Sequence, residues 1–559
     1  MLTSLLASFR PLFTWVKKPP IHVWVILGVS VAIPLYFTFT TGLVWEDFLI
    51  TYRYSENLAH GRGLVYMPGE HVHGFTSPLN VLLPALFAWL SGARDFALPL
   101  WLFRLVSLAG LTVAFVSVTS VLTREYAGAR AASLAGSLFP LIAVLEIKTT
   151  AFAMSGQEAG LVLAFLAPAF ALVWLGWAEH ALLGGLLWAG LMYSRPDACV
   201  YIALLGLTAF CFETTSRRQL VAALLRSGVI CAVLYLPWFL FTWAYYGSPI
   251  PHTIVAKYGV ESYESARVTF GLFAPLADGI KKAPAVLCWA LAPIYDWLDG
   301  GPGTWPRWTH DCELALELVA VLYWLIPTRD RFGRMASLFT FLIFAYLVYA
   351  NVVAQHAPWY FPPLAFMSLL TLVAIIAALT RRLTNVAAAH GFALLALAGV
   401  GCLMGFIFFA SLRPLRFKQD VIEWDHRRLI GLWLKDHVGP GETVYLEPLG
   451  YIGYFSERKM LDWPGLVSPE VVAARRKLPT QSGYTWREVA DALKPSWIVA
   501  RPDESQLMKQ SEFLSKNYDL VKVFDVQDKI RAAGVIPGIR MVFAESAFGV
   551  YHRIKEVKP

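Results

Sequence analysis

Residues 45–79, WEDFLITYRYSENLAHGRGLVYMPGEHVHGFTSPL, decide how the rest of the chain is read. They follow a hydrophobic run, Ile21 to Thr41, and open with two adjacent carboxylates, Glu46 and Asp47. A helix-like pattern then gives way to a loop punctuated by Gly and Pro. Two acids at the mouth of a membrane helix are costly to hold there unless they have a task. Residues seven apart return to one helix face, so Glu46 is expected to stack with Arg53 and Asp47 with Tyr54. An acid, a cation and a phenol would then be presented together at a membrane boundary. The plain alternative is that first-turn acids stabilise the helix dipole, by about 0.3–1 kcal/mol. That needs neither the adjacent pair nor the Arg and Tyr that follow.

The chain has 559 residues, 57% of them hydrophobic and 15% charged, with 21 Trp and a mean hydropathy of +0.53. Such a balance excludes a single soluble domain and, with long apolar runs, indicates a polytopic membrane protein. The net charge of +8 comes from basic residues clustered at the ends of apolar runs, where they read as topology signals. No basic face carries interleaved aromatics, so nucleic acid is not an expected partner. The six cysteines form no CxxC pair, and buried, inert thiols are the expectation.

Arg10, Lys17 and Lys18 precede the first run, which is too long for a signal-peptide core, so an uncleaved anchor with a cytoplasmic N-terminus is expected. With basic clusters on the inner side, 21–41 leads out to the Glu46/Asp47 loop. Residues 79–91 are too short to span at ~1.5 Å per residue and are assigned to the interface. The runs 99–122, 131–150, 159–178, 181–194 and 198–213 then alternate. After 229–247 comes a long outer segment to about residue 312, followed by 314–327, 335–353, 359–380 and 389–411. The expected architecture is a polytopic α-helical membrane domain of about eleven spans, residues 1–411, with its first outer loop at 42–78. Residues 412–559 turn soluble in pattern and are expected to form an extracytoplasmic α/β domain. Helices are expected at 420–438 and 485–494, and strands at TVYLEP, YIGYF, SWIVA, YDLVKVF and within MVFAESAFGVYHRI.

The segments ED, YRYSENLAHGRGLVYMPGE and GFTSPLNVLL resemble the first extracytoplasmic loop of the GT-C glycosyltransferases. These polytopic enzymes take sugars from polyprenyl-phosphate donors, and the likeness is closest to the branch holding bacterial arabinofuranosyltransferases. GYIGYFSERKMLDWPGLVSP similarly resembles the C-terminal domain attached to many members of that branch. The resemblance implies that the Asp/Glu pair supplies the base for the acceptor hydroxyl, with Asp47 the favoured base and Glu46 binding the acceptor or sharing the role. It also draws Glu158, in SGQEAG, in as a second carboxylate that orients the acceptor or binds the sugar. The competing reading makes Glu158 a helix cap.

Arg195, in RPDA, suits a lipid phosphate, which a guanidinium can grip with paired hydrogen bonds, although an Arg195–Asp197 structural pair would serve as well. Lys257, in GSPIPHTIVAKYG, resembles a family P-N-T…A-K segment in which His252 replaces the usual Asn. His356 and Tyr360, in QHAPWYFPPL, are candidate donor contacts beside Trp359, against the alternative of an interfacial aromatic belt. Arg53 and Tyr54 complete the candidate donor set.

Glu70, His71 and His73 offer too few ligands for a metal and are expected in a solvated loop. There is no P-loop, Rossmann glycine pattern or nucleophile elbow. No cofactor is required by this reading, and a divalent cation stays an open alternative. The expectation is a glycosyltransferase of the bacterial inner membrane, moving a sugar with inversion to an envelope glycan, glycolipid or protein. The rivals are a flippase for lipid-linked sugars, for which inverted repeats and broken midplane helices would be the signature, and a non-catalytic assembly protein.

Overall fold

The computed structural model describes residues 21–257, 274–295, 304–353, 357–478, 485–538 and 540–554. Most of them form apolar helices. Among the described residues, six helices are long and apolar enough to cross a bilayer: Ile21–Thr41, Ala97–Glu125, Arg217–Tyr246, Arg331–Ala350, Pro362–Arg382 and the helix starting at Val386. Pro362–Arg382 is the central one, with 94% of its apolar window buried by its neighbours. Arg217–Tyr246 is peripheral and turns Leu225, Val229 and Val233 outward, as a lipid-facing helix does. Four further apolar helices, Pro78–Ser91, Ala159–Leu175, Ala181–Ser194 and Ala198–Phe212, are shorter. The expected tally of about eleven spans therefore draws on segments too short to cross unaided.

Three local expectations are corrected. The run 131–150 is not one straight span: Arg130–Val144 and Ile147–Met154 meet at a 58° bend. Glu146 makes the break, since its carboxylate accepts from the backbone N–H groups of Lys148 and Thr149 and starts a new helix. The cysteines are not mainly buried. Cys199, Cys211, Cys312 and Cys402 are exposed on helix surfaces, where a lipid environment accepts a thiol as readily as a protein core does. Finally, YIGYF is part of a helix, Leu449–Ser456, rather than a strand.

The last apolar helix runs from Val386 to Phe417 without a break at residue 411. It continues through a π-helical stretch, Lys418–Arg427, into Arg428–His437, and so carries the C-terminal domain on a rigid stem. That domain is built on a five-stranded sheet: β1 Thr443–Leu446, β2 Lys459–Asp462, β3 Trp497–Ala500, β4 Tyr518–Asp525 and β5 Ala547–Arg553. The order is β2-β1-β3-β5-β4. The first three strands are parallel, with Val444 opposite Met460 and Tyr445 opposite Ile498, and β5 is antiparallel to β3 and β4. Buried β1 and β3 carry continuous apolar side chains, as strands covered on both faces require.

The sheet domain does not stand apart. Ile452, Val467 and Trp497 share one apolar core with Ile50, Tyr54, Tyr66 and Phe75 of the first loop. Gly450 lets the Leu449–Ser456 helix lie directly on the start of the Glu46–Ala59 helix, for a Cβ there would fall 2.5 Å from the Glu46 carbonyl oxygen. Close helix contact, not strand pairing, is what Gly450 serves.

Candidate functional site

The Glu46–Ala59 helix is held at its first turn by two other parts of the chain. Trp45 N–H donates to the Ser155 carbonyl at 2.9 Å, which joins the helix to the SGQE segment. Buried Arg104 ties the same two loops, donating to the carbonyls of Met154 and Leu43, each at 2.7 Å. Gly156 completes the junction at φ +95°, where a Cβ would run into the Phe48 ring. These links bring Asp47 and Glu158 to one cleft of about 550 Å³, partly open to solvent. Five of the expected residues line it: Asp47, Glu158, Arg195, Lys257 and Tyr360.

Glu158 does not cap the helix that follows it, for its side chain makes no capping bond. Its carboxylate instead accepts from Arg195 at 2.6 Å and from Asn80 at 3.4 Å. Arg195 also grips Asp197 through Nε at 2.8 Å and Nη2 at 3.2 Å, and lies over the Tyr360 ring at 4.4 Å. The structural pair and the cleft-lining position thus coexist in one guanidinium. Lys257 lies 5.6 Å from the Trp359 ring centroid and makes no ion pair among the described residues. Burial raises the Asp47 carboxyl from 3.8 to about 6; Lys257 opposes this, while Glu46 and Glu158 add to it. The cleft thus sets a carboxyl that titrates near neutrality among fixed cations. Among the described residues, three cleft-lining polar atoms, Asn80 Oδ1, Gln157 Nε2 and Thr253 Oγ1, are buried without a hydrogen-bond partner, which suits a polar ligand.

The two adjacent acids part company. Glu46 turns away from the cleft lining to Arg427, 2.6 Å away, and enters a buried network. Arg427 also pairs with Glu423 at 3.1 Å and with Glu545 at 2.8 Å, and Glu545 meets Arg501 at 2.6 Å. Although burial alone would raise the Glu545 carboxyl, Arg427 and Arg501 hold it down to about 2.

Arg53 and Tyr54 likewise do not line the cleft. Arg53 pairs with Glu56 at 3.2 Å, donates to the Tyr454 carbonyl and lies over the Tyr454 ring. Tyr54 is buried and donates to the Val72 carbonyl at 2.9 Å. The expected stacking of Glu46 on Arg53 and Asp47 on Tyr54 is replaced by these contacts, because the docked C-terminal domain and the loop offer better partners. His356 lies outside the described residues. His71 and His73 stack on Tyr245 and Tyr246, and Glu70 pairs with Lys459, so the loop trio is occupied structurally.

A second cavity of about 250 Å³ shares Glu158, Arg195, Trp359 and Tyr360 with the cleft and continues between Val162, Tyr201 and Pro363. Arg195 thus lines both. A divalent ion takes about six oxygen ligands. Glu158 is already neutralised by Arg195, and among the described residues no three His, Cys, Asp or Glu side chains gather as a cation group. Among the described residues the donor set does not fit such an ion. Asn80, Gln157, Thr253, Arg104 and Leu466 were not singled out as site residues from sequence. Asn80, Gln157 and Thr253 each had a signal, their places in GFTSPLN, SGQEAG and GSPIPHTIVAKYG, whereas Leu466 reaches the cleft only through domain docking.

Solved structures share this architecture. The oligosaccharyltransferase of Archaeoglobus fulgidus, solved with a tethered acceptor peptide, matches with a TM-score of 0.55 at 14% identity, over 93% of this chain and 74% of that one. ArnT from Cupriavidus metallidurans bound to undecaprenyl phosphate matches with a TM-score of 0.50 at 13% identity, over 96% of this chain and 98% of that one. The chain has the GT-C fold.

In sequence, this GT-C chain is 28% identical over 229 residues to the terminal β-(1→2)-arabinofuranosyltransferase of Mycobacterium tuberculosis, covering 38% of this chain and 34% of that protein. It is 29% identical over 237 residues to the protein of the same name from Corynebacterium glutamicum, covering 38% of this chain and 32% of that one. The match thus spans about a third of the length of these relatives. A family model described as a domain of unknown function, DUF8728, matches residues 419–550, the stem and sheet domain.

Proposed function

We propose that this protein is a membrane glycosyltransferase that moves a sugar from a polyprenyl-phosphate donor to a hydroxyl of an extracytoplasmic acceptor. The observation that carries this reading is the cleft itself: a half-buried carboxyl, raised to about 6, shares it with Arg195 and Lys257. In this reading the Asp47 carboxylate takes the proton of the acceptor hydroxyl as its oxygen attacks the anomeric carbon. The carbon–oxygen bond to phosphate breaks, the electron pair leaves with the polyprenyl phosphate, and the carbon inverts. Arg195 and Lys257 bind the charge that accumulates on that phosphate, which is where fixed cations accelerate such a step most. Glu158 holds Arg195 in place and, with Asn80, orients the acceptor or sugar. Glu46 holds the helix rather than touching substrate.

Arg195 and Lys257, two cations lining one cleft of a membrane chain, support a lipid-borne phosphate as the charged part of the donor. The fold of ArnT, a protein solved with undecaprenyl phosphate, is compatible with such a donor. The arabinofuranosyltransferase relatives point to a pentose as the first sugar to try. With basic clusters inside, the cleft and the sheet domain face the outer side of a bacterial inner membrane, and the N-terminus faces the cytoplasm.

The test is incubation of the purified, folded protein with a panel of polyprenyl-phosphate pentoses and hexoses and with envelope glycans, glycolipids and protein acceptors. One donor should be consumed, and Arg195→Ala should abolish its use. A folded sample that consumes none of the panel overturns the proposal.

A further inference from the structure

Lys257 is the last described residue of the helix His252–Lys257, which is tied to other parts of the chain on both sides. The backbone N–H of His252 donates to the His73 carbonyl at 2.8 Å. At the other end, Arg475 of the C-terminal domain donates through Nη1 to the Ala256 carbonyl at 2.7 Å and to the Pro464 carbonyl at 2.9 Å. Pro464 belongs to the loop after β2, residues 463–468, which sends Leu466 into the wall of the cleft. That loop is braced by buried Asp462, which accepts from Val467 N–H at 3.0 Å, Gly465 N–H at 3.2 Å and Ser468 Oγ at 2.7 Å. Arg475 is not part of the cleft lining. It acts on the residue next to Lys257 and takes its own position from a braced loop.

We infer that Arg475 is a positioning residue that aims the Lys257 ammonium into the cleft, so that docking of the C-terminal domain and completion of the phosphate-binding site are one event. This rests on the reading of Lys257 as a phosphate contact. It gives the C-terminal domain a task that its own strands, which carry no catalytic constellation, do not reveal.

The test compares full-length wild type, R475M, K257M, R475M/K257M and R475K, with undecaprenyl phosphate as the probe and binding followed by tryptophan fluorescence in detergent. K257M should weaken binding on the order of tenfold, the loss expected for a charge-assisted contact. R475M should weaken it nearly as much, and the double variant no further than K257M, because both changes remove one contribution. R475K should recover part of the loss by bonding one carbonyl instead of two. Multiplying effects in the double variant, or wild-type binding by R475M, overturns the inference.

A second measurement needs no ligand. The rate at which an amine-reactive reagent acylates Lys257, read by mass spectrometry against exposed Lys435, should change in R475M and be restored in R475K. If wild type binds no undecaprenyl phosphate, the phosphate reading falls, while an unchanged acylation rate overturns the positioning role by itself.

Discussion

Replacing Asp47 with asparagine should move activity and stability in opposite directions. Burial first, then Glu46 and Glu158, raise the Asp47 carboxyl from 3.8 to about 6 against the pull of Lys257. Two units correspond to roughly 3 kcal/mol at 1.36 kcal/mol per unit. The side chain is only half-buried beside the open cleft, so the realised cost is about 1–3 kcal/mol after solvent screening. A folded-state value above the unfolded one means that the fold favours the protonated acid. That contribution is fully present below pH ~4 and is lost as pH rises through about 6. The amide introduced by Asp47→Asn does not titrate, so the variant should unfold at a higher temperature than wild type at pH 7.5, and the two should converge near pH 4.

Activity should go the other way. Loss of a general base costs about 10²–10⁴-fold in rate. In wild type the carboxylate must be ionised, so kcat/KM should rise with unit slope below about pH 6 and level above it, standing roughly tenfold below the plateau at pH 5. The assay is donor consumption across pH 4.5–8, paired with thermal unfolding of both proteins. A flat wild-type profile, an active Asp47→Asn variant, or one less stable than wild type at pH 7.5 would refute the reasoning.

Arg195→Lys keeps the charge but gives up the two-point grip on Asp197 and the fixed fork facing the cleft, so lipid-phosphate affinity should fall about tenfold in a direct binding assay. Arg427→Met leaves Glu46 without its buried cation and removes one of the two cations facing Glu423 and Glu545, and should cost about 3–5 kcal/mol in a denaturation experiment. The same change in a Glu46→Gln background should cost less. Gly156→Ala meets both a left-handed backbone and the Phe48 ring, so it should destabilise the protein by about 1–3 kcal/mol and depress transfer by shifting Asp47 against Glu158.

Much of the fold was legible because its signals are local. Apolar runs bounded by basic clusters mark helices whatever their neighbours do, and Glu46–Ala59 starts where the paired acids stand. The misreadings share a cause. YIGYF reads as a strand from its apolar and aromatic content, yet it winds into a helix so that Gly450 can rest on the Glu46 turn. The run 131–150 reads as one span by hydropathy, yet Glu146 ends it by satisfying the N–H groups of a new helix. Periodicity correctly put Arg53 two turns after Glu46, but it could not show that carbonyls of a helix some 400 residues later would claim the guanidinium.

By itself, the sequence determined that this is a membrane chain with two acids at the start of a short helix; the resemblance and the threading added the expectation that Glu158, Arg195 and Lys257 lie with them, as they also did for Arg53 and Tyr54, which do not line the cleft. These follow from composition, period and motif, which need no knowledge of contacts. Which acid faces the cleft was decided only by tertiary structure. Arg427, 381 residues from Glu46, draws that carboxylate into a buried network and leaves Asp47 to the cleft. Neighbouring side chains on a helix diverge by about 100°, so once a distant cation claims one acid, the other is turned toward the opposite ground.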